Sequence, residues 1–298
     1  MKRPIIPSFG LAVLASVSLV MPAFAVVNIV YVPVGNAGNA ADTTGYGSVA
    51  YDYQIGKYEV TNSQYAGFLN AKGGSNDHAI YNSSMASYGI TQNGSAGTYT
   101  YSVTSGLENR PVVYVSWFDA ARFTNWLGNG QGSGDTETGA YTLISGQTSG
   151  IVTVNPGAQV YIPSENEWYK AAYYNGGTSA YSLYPNGQNT ITTADANYNS
   201  SGSSDVGSYS GDPGSYGTFD QGGNVWEWND AVISGSSRGM RGGAWWSLDN
   251  ALSSALRDQN IPSTEYYVIG FRVASVPEPT SIILTMVAGG MMLIRRRR

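Results

Sequence analysis

Asp220 and Glu227 are the acidic residues whose setting most suggests chemistry. They flank Gly222-Gly223-Asn224-Val225. Two carboxylates plus carbonyls exposed by a glycine turn can hold calcium, which takes six to eight hard oxygen ligands in a flexible cage. The competing reading is a buried ion pair, with Glu227 facing Arg241 or Arg272, because buried carboxylates are usually paired. Other chemistries lack their residues. The chain contains one histidine, His78, and no cysteine. A facial triad needs two histidines, and zinc is no better supplied. His78 lies in a polar stretch and is read as a solvated loop residue. No Gly-x-Ser-x-Gly elbow, P-loop or dinucleotide fingerprint is present. Trp228-Asn229-Asp230 sets an aromatic ring beside an amide and a carboxylate, but three residues are too few to decide. Trp226, Trp228, Trp245 and Trp246 are read as core before sugar platform, since aromatics dominate cores.

The elements that must position these residues are short. Thr61 caps a helix running to about Ala71, with Tyr65, Phe68 and Leu69 at core spacing. Ser116 and Asp119 form a capping box that opens a second helix, ending near Gly128. Ser164 and Glu167 form another box before Trp168–Tyr174. Strands are expected at Val26–Val32, Tyr51–Val60, Ile151–Val154 and Ala158–Ile162, with a last one at Gly270-Phe271-Arg272-Val273. Lys72–Glu108 and Asn175–Thr218 are poor in aliphatics and read as long surface loops. Short elements between long loops predict an irregular α+β domain over residues 26–274.

Several segments occur in order along this body: Ile55-Gly56-Lys57-Tyr58-Glu59-Val60-Thr61-Asn62, Ser116-Trp117-Phe118-Asp119-Ala120, Ile162-Pro163-Ser164-Glu165-Asn166-Glu167-Trp168, Gly223-Asn224-Val225-Trp226-Glu227-Trp228, Arg241-Gly242-Gly243-Ala244-Trp245 and Gly270-Phe271-Arg272-Val273. The set resembles the formylglycine-generating enzyme, or sulfatase-modifying factor, domain. The resemblance implies a loop-rich fold related to the C-type lectin fold. It implies an oxidoreductase that acts on a substrate cysteine through copper held by two cysteines. Carried over by position, those ligands are Ser247 and Leu252, and the serine after the double glycine is Ala244. Copper(I) selects thiolates, so these residues make copper an unsuitable cofactor and oppose an enzymatic reading. The resemblance also implies a structural calcium held by Asp220, Gly223, Val225 and Glu227. A second calcium site would start at Asn197 and Tyr198, where the completing loop is short.

The two ends predict export. Lys2 and Arg3, an apolar run from Leu11 to Val20, and Ala23-Phe24-Ala25 read as a signal peptide over residues 1–25. Residues 275–298 hold Val276-Pro277-Glu278-Pro279, an uncharged stretch from Ser281 to Ile294, and Arg295 to Arg298. That tripartite pattern resembles the PEP-CTERM sorting signal of Gram-negative bacteria. It implies an exosortase and the secretion machinery as processing partners, with a transient membrane anchor; a plain tail anchor is the alternative. The formal charge of −5 falls by two, to −7, without Lys2 and Arg3, and by four more, to −11, without the terminal arginines. Nucleic acid is thereby an unlikely class of partner. The expectation is a non-catalytic surface or matrix protein, in the cell envelope or outside it. Its partner would be an extracellular polysaccharide or a surface protein. The alternatives are a cysteine-oxidising enzyme and a calcium-dependent glycan-binding module.

Overall fold

The computed structural model describes residues 26–210 and 213–276. The stretches read as a signal peptide over residues 1–25 and as a sorting signal, beyond Val276, lie outside these residues. Three helices form where the sequence places them: α1 (Asn62–Lys72), α2 (Trp117–Gly128) and α3 (Glu165–Tyr173). Each begins in a reciprocal capping box, Thr61 with Gln64, Ser116 with Asp119 and Ser164 with Glu167. The cap satisfies amide groups that the first turn leaves unpaired.

The strands are β1 (Tyr31–Val34), β2 (Tyr53–Gly56), β3 (Ile90–Asn93), β4 (Thr100–Val103), β5 (Val160–Tyr161), β6 (Tyr174–Asn175), β7 (Ala180–Tyr181), β8 (Trp226–Val232), β9 (Arg238–Arg241), β10 (Asp258–Asn260), β11 (Ile269–Gly270) and β12 (Ala274–Ser275). One sheet has the order β1-β2-β12-β5 and is antiparallel throughout. The other runs β10-β9-β8-β11, with β11 parallel to β8. β3–β4 and β6–β7 are separate two-stranded ladders. They supply local order within both segments read as surface loops.

Two strand expectations are corrected. Ile151–Val154 joins no ladder; Ile151 and Val154 are exposed while Val152 reaches the core. Gly270–Val273 is not one strand: Gly270 ends β11, and Phe271–Val273 links it to β12 in the other sheet. Arg272 and Val273 each face a different buried environment there. Phe271 packs edge-on against Tyr65 and Phe123, so the link also anchors α1 and α2 to the core.

Four arginines, Arg122, Arg238, Arg241 and Arg272, are almost wholly buried. Each donates to a carboxylate, the usual condition for burying charge. Arg238 also lies 3.7 Å from the Trp117 ring centroid.

Candidate functional site

The Asp220–Glu227 turn reverses the chain into β8. Asp220, Gly223 and Asn224 all have left-handed φ, at 61°, 83° and 58°. Gly223 is required twice over, because an added Cβ would stand 2.2 Å from the Asn197 carbonyl oxygen. Its amide donates to Gly242 O at 2.8 Å, and that of Asn224 to Asn197 O at 2.8 Å. The Asn224 side chain donates to Glu59 Oε2 at 2.7 Å, while Val225 N donates to Glu59 Oε1 at 3.2 Å.

Glu227 is fully buried and sits against Arg272. Arg272 Nε donates to Oε2 and Nη2 to Oε1, both at 2.6 Å; Trp168 Nε1 donates to Oε2 at 2.7 Å. Arg272 also donates to the carbonyls of Gly56 and Phe219. Arg241 belongs to another pair, giving Nε to Glu165 at 2.8 Å. Of the two arginines proposed for Glu227, Arg272 is the partner.

Three carboxylates, Glu59, Asp220 and Glu227, thus share the field of one guanidinium. Burial pushes Asp220 up to about 6, against the lowering effects of the Gly207 amide and Arg272. Burial also holds Glu59 well above the usual carboxylate range, helped by the charges of Asp220 and Glu227. Glu59 is a member of this cluster that the sequence reading did not single out.

The donor set fits a hard cation. Val225 has no exposed surface and Gly223 is buried, yet neither carbonyl accepts a hydrogen bond among the described residues. Buried backbone carbonyls are nearly always paired. Asp220 accepts the Gly207 amide through Oδ2 alone, and Glu227 Oε1 accepts only one bond. No three acidic or histidine side chains converge on a common point among the described residues. A cation here therefore depends on two carboxylates, two carbonyls and water. The second expected site has less to offer. Asn197 Oδ1 accepts from Ser200 Oγ at 2.6 Å and its carbonyl from Asn224, while the Tyr198 hydroxyl donates to Ile191 O.

The segment implied for copper follows β9. Ala244 N donates to Ser247 Oγ at 3.0 Å and Ser247 N to Ala244 O at 2.8 Å, so the serine closes a tight turn. Leu252 ends a short 3-10 turn, Asp249–Leu252, and is fully buried with Tyr184 and Ala196. Gly243, at φ 74°, leaves room for it; a Cβ there would come within 2.9 Å of Leu252 Cδ1. A hydroxyl engaged in a turn and a packed isobutyl group offer copper(I) no ligand. The two turns are joined by the bond from Trp245 N to Asn224 O, 2.8 Å long.

Other singled-out residues divide cleanly. Trp226 and Trp228 are core residues, and Trp228 Nε1 donates to Val115 O. Asn229 is buried and Asp230 pairs with Arg238, so the Trp-Asn-Asp triplet faces inward. Trp245 is half-buried and Trp246 is exposed, correcting the core reading for the latter. His78 is also corrected: it is half-buried, with Nε2 3.7 Å from Glu137 and Nδ1 enclosed without a partner.

Comparison with known proteins agrees with this geometry. The family model described as the sulfatase-modifying factor enzyme 1-like domain matches residues 22–276. Curated relatives include the serine/threonine-protein kinase pkn1 of Chlamydia caviae, 27% identical over 236 residues, 73% of this chain and 32% of that protein. Pkn1 of Chlamydia trachomatis is 29% identical over 237 residues, again 73% and 32%. The chain spans about a third of the length of these relatives. Among solved structures, Treponema denticola variable protein 1 matches with a TM-score of 0.60 at 22% identity, covering 86% of this chain and 98% of that one. CarF matches with a TM-score of 0.61 at 23% identity, covering 85% and 100%. These likenesses establish the fold as the loop-rich α+β arrangement of formylglycine-generating-enzyme-like and C-type-lectin-like proteins.

Proposed function

The chain belongs to the sulfatase-modifying factor enzyme 1-like family, and from that premise we propose that it is a non-catalytic exported protein that uses the domain for binding or structure. The observation that carries this reading is the Ala244–Leu252 segment. The family chemistry requires a thiolate that binds copper(I) and exchanges with a substrate thiol. Ser247 occupies the first ligand position with a hydroxyl, which stays protonated at neutral pH and is engaged by Ala244 N. Leu252 occupies the second inside apolar packing. No cysteine elsewhere in the sequence can substitute.

One calcium ion is part of this proposal. Asp220, Glu227 and the carbonyls of Gly223 and Val225 would hold it. Bound there, it would supply positive charge to a cluster in which carboxylates outnumber the guanidinium. Arg272 would keep Glu227 oriented, and Glu59 would fix the turn through Asn224 and Val225 N.

Export supports the same reading through Ala23-Phe24-Ala25 and Pro277-Glu278-Pro279. Among the described residues no helix is long and apolar enough to cross a membrane. Mass spectrometry of the protein from a cell that makes it should find residues 1–25 and Arg295–Arg298 removed. Intact terminal arginines on surface material would contradict the processing step. The combined change Ser247→Cys with Leu252→Cys tests the site itself. It should raise copper(I) affinity well above that of the unmodified protein; equal affinity would mean that missing ligands are not what separates this chain from the enzymes.

A further inference from the structure

Five aromatic rings gather where the main core meets the surface: Tyr114, Trp245 and Tyr267 pack partly against that core, and Tyr88 and Tyr266 lie beside them. Ring centroids lie 5.5 Å apart for Tyr88 and Tyr114, and 6.2 Å for Tyr88 and Tyr267. Tyr266 and Tyr267 are 4.4 Å apart, and Trp245 is 6.0 Å from Tyr267. Tyr266 is 47% exposed and the other four are half-buried. Rings gathered at the surface with one edge open to solvent offer a contact face to a ligand.

One of these residues is held in a strained backbone conformation. Tyr114 has φ of 60°, a genuine outlier for a bulky side chain. Its amide donates to Tyr266 O at 3.0 Å, which ties the two ring-bearing segments together. Strain of this sort persists where surrounding contacts over-determine it, and it gathers at ligand-binding positions. Tyrosines fixed in this way lose little entropy when a ligand arrives.

A separate observation adds a charge. Arg122, Arg238, Arg241, Arg257 and Arg272 all donate hydrogen bonds. Arg110 alone among the described arginines donates none, and its Nε is enclosed without a partner. The acids in the same segments are engaged by other donors and form no ion pair with Arg110: Glu108 accepts from Gly106 N, and Glu265, beside Tyr266, from Asn82. Arg110 Nη1 lies 3.9 Å from where a Gly202 Cβ would stand. Two residues earlier, Ser200 N donates to Trp245 O at 2.7 Å. The 200–202 loop thus approaches both Arg110 and Trp245, and Tyr114 follows Arg110 by four positions in the chain.

We propose that this face binds an acidic polysaccharide, with the rings lying against the C–H faces of the sugars and Arg110 pairing with a uronate carboxylate. A guanidinium keeps its charge at every accessible pH and matches a carboxylate bidentately. Tyrosine, tryptophan and arginine are the side chains that concentrate binding energy. The site uses neither Asp220 nor Glu227, so it needs no calcium. The inference rests on the domain being a binding module.

The test is affinity electrophoresis of the full chain in gels containing polygalacturonate or dextran, with chelator throughout so that calcium cannot bridge the polymer. Polygalacturonate should retard the protein and dextran should retard it at least about tenfold less. Arg110→Gln should abolish that preference, and Tyr266→Ala should weaken retardation about tenfold, with both variants keeping the parent melting curve. Absent retardation, equal retardation by dextran, or indifference to Arg110→Gln would overturn the proposal. Oxidation of a cysteine peptide by the unmodified chain would instead overturn the non-catalytic reading and leave the electrophoretic result standing.

Discussion

The turn at Asp220–Glu227 and the turn at Ala244–Leu252 touch each other, yet they meet opposite demands. The first is charged and buried, with Glu227 gripped by Arg272 and Trp168 while the Gly223 and Val225 carbonyls accept no hydrogen bond among the described residues. The second carries no paired charge; it is closed by one serine and anchored to the core by one leucine. Their backbones are joined at Gly223–Gly242 and Asn224–Trp245. The first turn is tied into the core through Glu59, Trp168 and Arg272. On the proposed reading, the second is where the framework is kept and the thiol chemistry is not.

The contrast is sharpest in the response to substitution. Arg272→Leu should cost about 3–5 kcal/mol in urea unfolding, because it leaves Glu227 buried and unpaired. A loss under about 1 kcal/mol would mean that the pair is not what holds this turn. Leu252→Ala should cost about 2–5 kcal/mol, through lost burial and the cavity left beside Gly222 and Gly243. If it were neutral, Leu252 would not be the packing residue described above.

Calcium should act on the first turn alone. At about a hundredfold excess over its dissociation constant it should add about 2.7 kcal/mol to stability. Glu227→Gln should abolish that gain. Identical melting curves with calcium and with chelator would remove the ion from the first turn.

The pH dependence separates the same regions more gently. Asp220, ordinarily at 3.8, is raised to about 6, and Asp119 and Asp230 to about 7, each first by burial. A raised carboxyl binds its proton more tightly in the folded state, so stability falls as pH rises from about 4 to about 7 and then levels. Asp220→Asn should flatten the part of that slope below about pH 6, and Ser247→Ala should leave the slope unchanged. A slope of opposite sign would show that other groups dominate.

Much of this was legible in the sequence where the cause was local. The capping boxes at Ser116 and Ser164 are each contained within four residues, and α2 and α3 start beside them. Strands depend on partners far away. β8 was not foreseen because Trp226–Asn229 is buried on both faces and lacks an alternating pattern. Ile151–Val154 has strand-like residues but nothing to pair with. Glu59 stayed hidden because its importance arises from Asn224, 165 positions along the chain. The absent thiols, in contrast, needed no structure to be seen.

The most direct measurement exposes the unmodified protein, supplied with copper and air, to a Cys-x-Pro-x-Arg peptide and follows the peptide by mass spectrometry. The expected result is a peptide whose cysteine remains a thiol or forms only disulfide, at the rate seen without protein. Protein-dependent conversion of that cysteine to an aldehyde would contradict the claim that this domain lacks its family's oxidative chemistry.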